Sequence, residues 1–90
     1  AGVFSIVLEC VKTDVAKEIT NLLKIPTIGI GASKFCDGQI LVTDDMLGLS
    51  GFYPKFVKKF TNLNNIIDKA VKKYKISVDS GKFPNKKNNF

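Results

Sequence analysis

The stretch from Phe4 to Cys10, FSIVLEC, constrains the fold of this chain more than any other. It is a nearly unbroken apolar run that ends on a carboxylate, the pattern of a strand buried on both faces of a parallel sheet. Glu9 is the anomaly within it. A carboxylate near the exit of a buried strand loses hydration, which is costly unless the group is paired, protonated or put to use. Glu9 is therefore the first candidate functional residue, with a salt-bridged strand-end carboxylate as the plain alternative.

Ninety residues suffice for one domain at most. A chain of that size buries only about 60 to 65% of its unfolded surface, so it reads as a piece of a larger fold rather than a self-sufficient core. Its start, AGVFSIV, has neither an initiating Met nor a basic leader and runs almost directly into the strand, as expected of a segment from a longer chain. An apolar share of 44% with 24% charged residues suits an ordinary globular chain, and no apolar run nears the roughly 18 residues of a membrane span. A cytoplasmic protein without membrane contact is the expectation. Cys10 and Cys36 form no CxxC and the chain has no His, so two buried, reduced thiols are expected in place of a metal site.

The net charge of +6 is unevenly placed: residues 1–50 hold four Lys against six acids, and residues 51–90 hold ten Lys against two. All fourteen basic residues are Lys. The planar fork that reads guanine edges or clamps phosphate belongs to Arg, so no nucleic-acid partner is expected and a solvated Lys-rich helix face explains the charge. The remaining binding alternative is a non-catalytic basic module that docks on an acidic partner through Lys69, Lys72 and Lys73.

After the first strand, Thr13 or Asp14 can cap a helix whose apolar positions Val15, Ile19, Leu22 and Leu23 form one stripe against a sheet. Ile25-Pro26 ends it. Thr27–Ala32 reads as a second short buried strand, with Gly29 and Gly31 opposite Ile28 and Ile30. Asp37-Gly38 is a turn signal, and Gln39–Thr43 is a third strand. The connection is too short for a crossover helix, so local rules favour a hairpin there. Asp44 and Asp45 follow, able to bind a metal or to cap a turn, with no third ligand close in sequence. Pro54 can open a helix through Phe60, and from Leu63 the positions Ile66, Ile67, Ala70, Val71, Tyr74 and Val78 keep helical period until Ser80-Gly81. The tail from Lys82 to Phe90 is polar and expected to be extended or disordered unless a partner covers Phe83 and Phe90. Ile6, Leu8, Ile28, Ile30, Leu41 and Val42 are the expected core, and pattern alone gives an α/β chain that opens β-α-β.

Several blocks in fixed order carry a resemblance. FSIVLECV (Phe4–Val11), AKEIT (Ala16–Thr20), IPTIGIGA (Ile25–Ala32), CDGQILV (Cys36–Val42), DMLGL (Asp45–Leu49), PKFVK (Pro54–Lys58) and SGKFP (Ser80–Pro84) together resemble the ketopantoate hydroxymethyltransferase family. The resemblance runs nearly end to end but covers only the C-terminal third of that family. It implies the sixth, seventh and eighth strands of a (β/α)8 barrel, and parallel pairing in place of the hairpin. It also implies transfer of a hydroxymethyl group from 5,10-methylenetetrahydrofolate to 2-oxoisovalerate in pantothenate synthesis, with Mg²⁺, by a homo-oligomer of the full-length chain. Glu9 matches the family's proton acceptor, at the C-terminal strand ends where barrel chemistry takes place. The metal ligands and a substrate-binding Lys are implied to lie outside these ninety residues, so no residue here is assigned to the metal. Asp44 stands where the family commonly has His, and Asn88-Asn89-Phe90 where its tail often reads His-Ser-Phe.

Overall fold

A computed structural model describes residues 1–90. The elements run β1 (Ile6–Glu9), α1 (Thr13–Leu22), β2 (Thr27–Ile30), β3 (Gly38–Gln39), α2 (Thr43–Leu47) and α3 (Leu63–Asp79). The three strands form one sheet in the order β1-β2-β3, parallel throughout. Ile6 pairs with Thr27 and Glu9 with Ile30, while Ile28 and Gly29 pair with Gly38 and Gln39. This is the parallel α/β arrangement expected, and the hairpin favoured by local rules is not formed.

Asp37 explains why. Its carboxylate accepts from the Thr27 amide at 2.9 Å, its own amide donates to Thr27 Oγ1 at 3.3 Å, and Thr20 Oγ1 lies 2.8 Å from the same hydroxyl. The connection after β2 is thereby drawn back to where β2 begins. A strand that starts there can only run alongside β2 in the same direction, and a short loop does the work of a crossover helix.

The strands are shorter than expected. β1 stops because Cys10 is left-handed (φ 54°), and β2 stops at Ile30 rather than Ala32 because Gly31 is left-handed too (φ 61°). β3 is only Gly38–Gln39, since Thr43 already begins α2. Alternation along the strands separates two faces. Leu8, Thr27, Gly29 and Gln39 face α1, where Leu8 packs with Ala16 and Cys36, and a Cβ on Gly29 would meet Cys36 Sγ at 3.1 Å. Val7, Glu9, Ile28 and Ile30 lie on the other face.

The stripe expected on α1 is turned about the helix axis. Ala16 is fully buried with Ile19 and Thr20 beside it, whereas Val15 and Leu22 are exposed. The small Ala16 lets α1 approach Leu8, and the Thr20–Thr27 bond fixes its rotation. Of the six residues expected in the core, Leu8 alone is buried; Ile28, Ile30 and Leu41 are half-buried, and Ile6 and Val42 are exposed. No layer of these ninety residues covers the second face, so its apolar side chains stay open.

Pro54–Val57 forms a turn, with the Val57 amide donating to the Pro54 carbonyl at 2.9 Å, and the expected helix through Phe60 is not formed. α3 meets its expected limits: Asn62 caps it through Asn65, and Gly81 (φ 72°) follows its C-cap at Ser80. None of its residues is buried. The tail has no helix or strand beyond a turn at Asn85–Asn88, and Phe83 turns back to Tyr74, ring centroids 5.8 Å apart. The radius of gyration is 21.8 Å, where a compact chain of this length has about 12 Å. No helix is long and apolar enough to cross a membrane.

Candidate functional site

The C-terminal ends of parallel strands gather the residues that follow them, and here the strands end on Glu9, Ile30 and Gln39. Glu9 alone of these carries a carboxylate. It lies on the face away from α1, beside Ile30, its register partner. The amide of Cys10 donates to the Ile30 carbonyl at 3.0 Å, which ties the two strand exits together.

Glu9 is exposed in these ninety residues rather than buried, and it takes part in no ion pair. The desolvation expected of a carboxylate closing a doubly buried strand is therefore not present here. The physical reason is the open second face: Val7, one pleat earlier on the same side, is 53% exposed. The two cysteines also separate. Cys36 is buried against Leu8 and Ala16 as expected, whereas Cys10 is exposed because its left-handed backbone turns it out of the strand; both thiols are free.

A cleft of about 510 Å³ opens beside the exits of β1 and β2, lined by Cys10, Lys12, Thr13, Gly31, Lys55 and Phe56 among others. Phe56 lies directly on Gly31, so close that a Cβ there would sit 2.7 Å from the ring's Cγ. A second cleft of about 310 Å³ shares Gly31 and Phe56 and continues over Ile40, Leu41 and Phe60. The turn at Pro54–Val57 thus folds over the strand ends. The sequence pattern pointed to no role for Lys12 and placed Lys55 and Phe56 in a helix; the PKFVK block that contains the latter two was the available signal.

Asp44 and Asp45 sit in the first turn of α2, where the open amides of a helix start favour acidic side chains. Asp45 accepts from Ser50 Oγ, and the side chain of neither Asp44 nor Asp45 caps a backbone amide of α2. No three His, Cys, Asp or Glu residues come together as a metal-holding group. The residues present do not fit a magnesium site. Lys69, Lys72 and Lys73 are exposed on one side of α3, and Ile66, Ile67, Val71 and Tyr74 are exposed on the other.

Comparison with known proteins agrees with these blocks. A family model described as ketopantoate hydroxymethyltransferase matches residues 1–86. The 3-methyl-2-oxobutanoate hydroxymethyltransferase of Pelagibacter ubique is 56% identical over 90 residues, covering 100% of this chain and 35% of the relative. That of Syntrophomonas wolfei is 55% identical over 85 residues (93% of this chain, 31% of the relative), and that of Clostridioides difficile 54% over 91 (100% and 33%). The chain spans about a third of the length of the curated relatives it matches. That share bears out neither the closed barrel nor the C-terminal placement that the resemblance implies. With residues 1–86 of its ninety matched, the chain belongs to the ketopantoate hydroxymethyltransferase family.

Proposed function

We propose that these ninety residues serve, within a longer chain, the transfer of a hydroxymethyl group from 5,10-methylenetetrahydrofolate to 2-oxoisovalerate, as consecutive strand-helix units of a (β/α)8 barrel. The observation that carries the proposal is Glu9, the one carboxylate among the residues that end the three parallel strands, beside an open cleft. A carbon next to a ketone yields its proton only to a base at short range. Water cleaves both bonds from the methylene carbon to the folate nitrogens, each nitrogen taking up a proton, and releases a one-carbon aldehyde. Glu9 takes the proton from C3 of the oxo acid, the carbanion equivalent so formed bonds to the aldehyde carbon, and the aldehyde oxygen takes up a proton to become the hydroxyl.

Neighbouring strands packed over this face would cover Glu9 and exclude water from the reacting carbon. The open face around Val7, Ile28 and Ile30 supports such covering. Magnesium is proposed to be held by residues outside these ninety. The active form is proposed to be a cytoplasmic homo-oligomer acting on small molecules, with no nucleic-acid or membrane partner.

A chimera in which these residues replace the matching third of the Pelagibacter ubique relative provides the test. It should exchange deuterium into C3 of 2-oxoisovalerate and form ketopantoate. A folded chimera that does neither defeats the proposal.

A further inference from the structure

We infer that the cleft between the start of α1 and the Pro54–Val57 turn receives the carboxylate-bearing aromatic portion of the folate co-substrate, with Lys12 and Lys55 as its charge partners and Phe56 as its flat wall. The inference rests on the proposed transfer reaction and assigns the co-substrate's place within it.

Three observations converge. The volume, about 510 Å³, lies within the range of roughly 300 to 1,000 Å³ that holds drug-sized ligands, and a five-carbon oxo acid would leave most of it unfilled. The wall is aromatic and held in place: Phe56 rests on Gly31, which only a glycine permits, and the side chain remains about a third exposed toward the opening. A fixed ring of this kind favours a second planar ring against it.

The third observation is charge without a partner. Lys12 holds the N-cap position of α1 and Lys55 belongs to the facing turn, so the two lysines line the cleft from different elements. The only ion pair in the chain is Lys75–Asp79. Lys17, Lys34, Lys58 and Lys59 each lie over an aromatic ring, whereas Lys12 and Lys55, like the lysines on α3 other than Lys75, have neither kind of partner; what sets these two apart is that they line the cleft together. Asp14, in the first turn of α1, is the nearest acid in sequence and bonds to neither lysine. The first-turn amides of α1, unserved by any side-chain cap, add to the positive field without being needed for the assignment. Cys10, which lines the cleft, directly follows Glu9 in the chain.

A carboxylate is the shared chemistry, and the oxo acid carries one too; cleft volume and the ring favour the folate. The test compares the chimera with its Lys12→Gln/Lys55→Gln double variant and with Lys55→Arg. The double variant should raise KM for methylenetetrahydrofolate by about 10-fold, the usual worth of a charge-assisted contact. KM for 2-oxoisovalerate should hold within about twofold, and Lys55→Arg, which keeps the charge but not the geometry, should raise the folate KM less than the double variant does. p-Aminobenzoyl-L-glutamate should compete with the folate in the parent and lose about 10-fold in the double variant, while its dimethyl ester is indifferent to the change. A rise in KM for 2-oxoisovalerate alone would assign the lysines to the oxo acid and overturn the inference, as would no change in either KM. If the parent chimera transfers nothing, calorimetric binding of p-aminobenzoyl-L-glutamate to parent and variant still decides the cleft's ligand, while the transfer proposal fails separately.

Discussion

The amide of Cys10 donates to the carbonyl of Ile30 at 3.0 Å, so the left-handed residue that ends β1 lies beside the exit of β2, where Gly31 is left-handed as well. Both strands therefore terminate by the same backbone device at the same level of the sheet. Glycine adopts it freely at Gly31; Cys10 does so against a steric cost of about 1 to 2 kcal/mol. In the chimera, Cys10→Val should lower stability by a further 1 kcal/mol or so, since a β-branched side chain is crowded there, and Cys10→Gly should be neutral or slightly stabilising. Urea midpoints decide it; equal midpoints for Val and Gly would show that Cys10 carries no such strain.

Gly31 meets a second constraint from Phe56. Gly31→Ala should cost about 1 to 3 kcal/mol, combining the left-handed backbone with the clash against the ring. In a Phe56→Ala background the clash is gone and only the backbone part should remain. A double-mutant cycle in the chimera measures the difference, and a coupling near zero would mean that ring and glycine do not touch in the assembled protein.

Thr27 is fully buried, and its hydroxyl joins Thr20 to Asp37. Thr27→Val keeps the volume but strands those partners, at a cost of about 1 to 3 kcal/mol. Because Asp37 also draws the connection back to the start of β2, Asp37→Ala should loosen β3. Faster amide exchange at Ile40, which donates to Gly29, is the expected readout.

These contacts mark how far the sequence was legible. The apolar run through Leu8, the β-α-β opening and the limits of α3 follow from pattern, because each depends on neighbours in sequence. The direction of β3 depends on Asp37 reaching back to Thr27 across ten residues, and no local rule carries that. The burial expected at Ile6 and Val42 assumed a covering layer that these ninety residues do not contain. Glu9 was legible as a carboxylate where an apolar strand ends, but its exposure was not, since exposure depends on what packs against the second face.

Glu9→Gln in the chimera should lower turnover by about 10² to 10⁴, the usual worth of a positioned general base, and leave the fold intact because the amide is nearly isosteric. Deuterium exchange at C3 of 2-oxoisovalerate should fall in parallel. Turnover within a few-fold of the parent would remove Glu9 from the chemistry.

The ninety residues on their own should neither transfer hydroxymethyl groups nor hold Mg²⁺ tightly. Three parallel strands leave two open edges, and the face carrying Val7 and Glu9 stays uncovered, with Phe4 86% exposed just before it. Apolar surface of that kind drives association rather than a fixed pocket. Magnesium usually takes one or two carboxylates with water and substrate, but no cluster of acidic ligands stands near Glu9 to orient it. Mixing the isolated chain with the separately expressed remaining two thirds of the Pelagibacter ubique relative should restore near-ultraviolet circular dichroism and transfer together, since the open face would then find its neighbours. Transfer by the ninety residues without that partner would show that the second face needs no covering and that Glu9 works exposed.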